Sequence, residues 1–71
     1  MTFKQWIEGY YPDLVPITSN KLRDLMGVTH TEPCRRWIRG MYKPRGEAVS
    51  ILAKIIGKDF ATTKKEIDAL S

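Results

Sequence analysis

Cysteine and histidine are nearly absent from this chain: Cys34 and His30 stand alone among 71 residues. One thiol excludes an internal disulfide and fits a reducing cytoplasm. His30 and Cys34 share the i, i+4 spacing of a metal pair, but two ligands do not make a zinc site, so no metal and no cofactor is expected. Nor does the pair suggest nucleophilic catalysis, because His30 on a marginal surface helix is a poor base for Cys34. Paired carboxylates, a phosphate-cradling glycine loop and a serine triad are all missing, so an enzyme is not expected and no small-molecule ligand is evident. Long hydrophobic runs are missing as well. No stretch approaches the roughly 18 apolar residues that a membrane span needs. The opening MTFKQWIEGYY has no charged leader followed by an apolar run. Together these absences read as a soluble, cytoplasmic protein with no membrane partner.

Acids are absent from one stretch in particular. Between Arg35 and Arg45 the chain carries five cations, Arg35, Arg36, Arg39, Lys43 and Arg45, and no Asp or Glu. Residues 1–34 sum to −1, three Lys/Arg against four Asp/Glu, and residues 46–71 sum to zero, four against four. The net charge of +4 is therefore a patch, with Trp37 and Tyr42 set inside it. A solvated surface would scatter its charge, as the rest of this chain does. A compact positive patch points instead to a polyanion, most often nucleic acid.

The length sets one domain, residues 1–71, near the lower limit for folding without staples. A domain of this size buries only about 60% of its unfolded surface. No convincing strand appears, since Pro16 argues against one at Leu14–Ile17, so an all-α, compact four- to five-helix domain is expected. Thr2-x-x-Gln5 forms a capping box for a helix over 2–10, with Phe3, Trp6, Ile7 and Tyr10 on one stripe and Gly9 and Pro12 as stops. The Thr18-Ser19-Asn20 cluster opens a second helix that buries Leu22, Leu25 and Met26 and ends at Gly27. A third runs to about Arg39 and is closed by Gly40. A fourth, over 47–56, buries Ala48, Ile51, Leu52 and Ile55. A last one, over 63–70, is predicted from a second capping box, Thr63-x-x-Glu66. Its Ile67 and Leu70 either close the core or form a dimer surface. Trp6-Ile7-Glu8-Gly9 echoes Trp37-Ile38-Arg39-Gly40, but the likeness does not continue on either side and reads as two similar helix ends.

Residues 18–40 carry the functional signal. A helix ending in Leu25-Met26-Gly27-Val28-Thr29 leads through a tight turn to a helix bearing Arg35, Arg36 and Trp37. Gly27 can take the positive φ of a sharp turn, and Val28 can plug the gap between the two helices. This is the layout of a helix-turn-helix, whose second helix presents its N-terminal half to the DNA major groove. Cys34, Trp37 and Ile38 fall at i, i+3, i+4 and face the core. That leaves Thr31, Glu32, Arg35, Arg36 and Arg39 outward. Arg39, Lys43 and Arg45 lie past the helix end, where cations meet phosphates. Asn20 or Lys21, at the head of the second helix, could add another phosphate contact.

In this segment and beyond it the chain resembles the lambda-repressor/Cro-like (XRE-type) helix-turn-helix family. The resemblance rests on Leu22-Arg23-Asp24-Leu25-Met26-Gly27-Val28-Thr29, Arg36-Trp37-Ile38-Arg39-Gly40, Pro44, and Leu52-Ala53-Lys54-Ile55-Ile56-Gly57, spread over about 40 of the 71 residues. Two features depart from the family pattern. Gly27 and Trp37 are one residue further apart, and Pro33 falls in the first turn of the third helix. That turn can be capped by Thr29, with Glu32 completing Thr-x-x-Glu, or can start at His30 or Thr31.

The resemblance implies a lambda-repressor-like domain in which Thr31, Glu32, Arg35 and Arg36 lie nearest the base edges. Arg paired with guanine is the commonest specific contact. Glu32 would accept from a cytosine amine or orient Arg35 or Arg36. The implied function is a small sequence-specific DNA-binding regulator, a repressor of phage or mobile-element type. It would act as a homodimer on double-stranded operator DNA, with half-sites about one helical turn apart. The rival reading is an interaction module (antirepressor, antitoxin or inhibitor) whose basic patch docks on an acidic protein.

Overall fold

Thr2 starts the first helix as its spacing predicts. In the computed structural model, which describes residues 1–71, the Gln5 N–H donates to Thr2 Oγ1 at 3.2 Å and the Thr2 N–H donates to Gln5 Oε1 at 3.0 Å. The helix so capped, α1 (Phe3–Tyr10), turns Phe3, Trp6 and Ile7 inward. Gly9 does not stop it. That residue lies inside the last turn, and α1 gives way after Tyr10 to a short 3₁₀ turn opened by Pro12. The Val15–Pro16 peptide is cis. Ile17 is then buried, its N–H donating to Glu8 Oε2 at 2.9 Å, which anchors the connector to α1.

Of the three possible caps for α2 (Ser19–Met26), Thr18 is the one used, its Oγ1 accepting the Lys21 N–H at 3.2 Å. The helix ends at Gly27, φ +70°, where the Val28 N–H reaches back to the Arg23 carbonyl. This left-handed closure satisfies carbonyls that the helix itself cannot. A third helix, α3 (Glu32–Ile38), a fourth, α4 (Glu47–Ile56), and a fifth, α5 (Phe60–Asp68), complete an all-helical domain with no strand.

Three expectations about these elements are corrected. In α2 Leu22 and Met26 are buried, while Leu25 is only half-buried. Helix α5 begins at Phe60, three residues before Thr63, because Asp59 is its cap: the Asp59 carboxylate accepts the Thr62 N–H at 2.6 Å. Thr63 is fully buried and donates its hydroxyl to the Asp59 carbonyl at 2.8 Å, so no Thr63–Glu66 box forms. In α4 the buried stripe is Val49, Leu52 and Ala53, while Ala48, Ile51 and Ile55 are only half-buried. The stripe shifts because α4 is covered by both α2 and α5.

The core draws on every helix, with Ile7, Leu22, Cys34, Val49, Leu52 and Ile67 fully enclosed or nearly so. Ile67 at 0% and Leu70 at 8% exposure resolve the choice left open for the last helix: both close the core. The chain ends meet, the Ser71 N–H donating to the Met1 carbonyl at 2.9 Å. The whole measures 26 × 24 × 24 Å. No helix is long and apolar enough to cross a membrane.

Candidate nucleic-acid interface

The register of α3 decides what its outer face presents. Glu32 is the first helical residue and Pro33 the second, where a missing N–H costs nothing because no intrahelical acceptor exists for it. Neither the Thr29 box nor a start at His30 is formed. Thr31 precedes the helix in a helical backbone conformation without a side-chain cap. Cys34 sits at 0% exposure, its thiol donating to the His30 carbonyl at 3.9 Å. Burial pushes this thiol's pKa up, away from the thiolate form. Trp37 packs its ring 6.3 Å from that of Phe3 in α1, and Ile38 is half-buried beside the core. With that stripe turned inward, Glu32, Pro33, Arg35, Arg36 and Arg39 are exposed and Thr31 is half-exposed.

Glu32 is the only acid on this face, and it binds both neighbouring arginines. Its Oε2 accepts from Arg35 Nη2, and its Oε1 accepts from Arg36 Nε at 3.2 Å. Restricted hydration raises the carboxyl pKa, but the hydrogen bonds and charges of Arg35 and Arg36 outweigh this and hold it below the usual value. Arg36 is held from a second side, since its guanidinium carbon lies 5.9 Å from the centroid of the Tyr42 ring, within cation–π range.

Beside α3 lies an open cleft of about 840 Å³ that brings together three cations of the patch, Arg36, Lys43 and Arg45. Glu32, Pro33 and Trp37 of α3 line it with Met41 and Tyr42 of the following loop. Met41 at 59% and Tyr42 at 58% exposure are large apolar groups left open to solvent there. Sequence reasoning had no site role for either. The signal that could have found them is that Gly40, at φ +76°, turns the chain back at the end of α3. The buried Pro44 then anchors the loop, so residues between these two points stay beside the helix.

The phosphate candidates divide. Arg39 and Arg45 are exposed and take part in no ion pair. Asn20 is exposed in the first turn of α2. Lys21, in contrast, donates to the Leu14 and Pro16 carbonyls at 3.4 and 3.1 Å, tying down the connector ahead of its own helix. Lys43 donates to the Asp68 carbonyl at 2.9 Å, satisfying the C-terminal end of α5. These two lysines therefore have structural partners, although each ammonium keeps further donors.

Fold and site together define a small all-helical domain with one exposed face of cations and aromatics. Comparison with protein-family models, curated proteins and solved structures gives no match.

Proposed function

We propose that this protein is a sequence-specific DNA-binding regulator of the XRE helix-turn-helix type, with α3 entering the major groove. The observation that carries the reading is the α3 face. A helix locked to the core by Cys34 and Trp37 turns Arg35, Arg36 and Arg39 to solvent, with the remaining cations of the patch on the loop that follows. Groove-facing arginines supply base contacts worth about 1–3 kcal/mol of discrimination each, while flanking cations supply the salt-dependent, sequence-independent affinity. Occupancy of a promoter would make it a repressor, acting as a homodimer on a two-fold-related operator.

Selection of bound duplexes from a random DNA pool at about 0.15 M salt tests this. An enriched site is expected, with sequence preference lost in Arg35→Ala/Arg36→Ala. Arg39→Ala and Arg45→Ala should weaken every duplex alike, each reducing the salt slope by about 1 from a starting value of about −4 per subunit. A well-folded protein that enriches nothing contradicts the reading. The second reading, docking on an acidic protein, is favoured by the exposure of Met41 and Tyr42 beside the cations. It predicts weak, unselective DNA binding.

A further inference from the structure

Arg35 and Arg36 are equally accessible, at 50% and 49% side-chain exposure, so exposure does not distinguish them. Their surroundings do: Arg36 lines the cleft beside α3 and Arg35 does not. Each gives one nitrogen to Glu32, Nη2 from Arg35 and Nε from Arg36. With five N–H donors a guanidinium so engaged keeps a second edge for a bidentate contact. In Arg36 that edge is the end-on fork of Nη1 and Nη2.

Arg36 is also the one whose plane is steadied from a second direction, by the Tyr42 ring at 5.9 Å. A side chain held in its bound conformation loses less entropy on binding. It lines the cleft beside α3 together with Lys43 and Arg45. A base edge could meet the fork there while the adjoining backbone meets the loop cations.

We infer that Arg36, and not Arg35, is the bidentate guanine reader of this face, with Glu32 and Tyr42 as its positioning residues. The assignment rests on the DNA-binding reading above and sharpens it. Arg35, outside the cleft lining, is left to meet a phosphate or to hold Glu32 in place.

The test uses the intact chain and repeats the duplex selection with Arg36→Lys, Arg35→Lys, Glu32→Ala, Tyr42→Phe and Tyr42→Ala, circular dichroism verifying that each remains helical. Lysine keeps the charge but has no fork. Arg36→Lys should lower preference for guanine at one position of each half-site by about 5- to 150-fold, the size of one bidentate contact. Arg35→Lys should leave that preference intact. Glu32→Ala should lower the same preference while raising affinity for unrelated duplexes, because it removes the only acid of the face. A purely structural role for Glu32 would lower both. Tyr42→Phe should retain the preference and Tyr42→Ala should lose part of it. An enriched site whose guanine survives Arg36→Lys but not Arg35→Lys overturns this assignment alone. No enriched site with the unsubstituted protein overturns the DNA-binding reading and the assignment with it.

Discussion

Glu66 joins more of the molecule than any other single side chain. Its Oε1 accepts from Trp6 Nε1 at 3.0 Å and from the Tyr10 hydroxyl at 2.7 Å, and its Oε2 accepts from Lys58 Nζ at 2.7 Å. One carboxylate thus links α1, α5 and the α4–α5 turn, with Lys58 also 5.3 Å from the Tyr10 ring centroid. The Lys58 hydrogen bond, then those of Trp6 and Tyr10, hold the Glu66 pKa down to about 2 from an ordinary 4.5. A folded-state pKa below the unfolded one gives stability that is present above the unfolded value and lost as pH falls through the folded value. The thermal midpoint should therefore decline between pH 4.5 and about 2. Glu66→Gln should remove part of that decline and lower the midpoint at neutral pH. Lys58 acts in the opposite sense. Its pKa is raised above 10.5, chiefly by the Glu66 hydrogen bond, so its contribution is present below that value and lost as pH climbs above it. A melt series across both limits, run on each variant, checks the pair.

Element by element, local chemistry was a good guide wherever neighbours in sequence settle the matter. Thr2 and Thr18 cap as their side chains allow, and α4 runs over 47–56 as its periodicity predicts. Helix α5 was less legible because the Thr63-x-x-Glu66 spacing suits a cap, and tertiary partners keep those residues from that role. Trp6, Tyr10 and Lys58 claim Glu66, which leaves Thr63 no return partner, and Asp59 caps instead. Asp59→Ala should accordingly cost about 1 kcal/mol in chemical denaturation. At Gly27 the backbone sits at φ +70° with nothing within 4 Å of an added Cβ. Gly27→Ala should then cost only the left-handed strain, about 1–2 kcal/mol, with Gly27→Asn milder. The outward set of α3 follows from the Cys34-Trp37-Ile38 stripe. The bonds of Lys43 to Asp68 and of Lys21 to Leu14 and Pro16 did not follow, because they depend on where separate segments meet.

The molecule as a whole is smaller than one turn of its proposed target. Its longest extent is 26 Å, against about 34 Å between successive major-groove faces on one side of a duplex. One chain carries one α3, so the proposed two-fold operator would take two copies. Sedimentation with a selected duplex should show two chains per site, and a duplex cut to one half-site should take one. The enclosed sulfur of Cys34 has a consequence of a different kind. It lies under α3, against α1 and α2, with no path to solvent while those helices remain together. A thiol reagent can label it only during moments when α3 lifts away, and the labelling rate therefore counts those openings. Any ligand that clamps α3 will slow the count, so the chain's one cysteine serves as a built-in clock for occupancy of that helix.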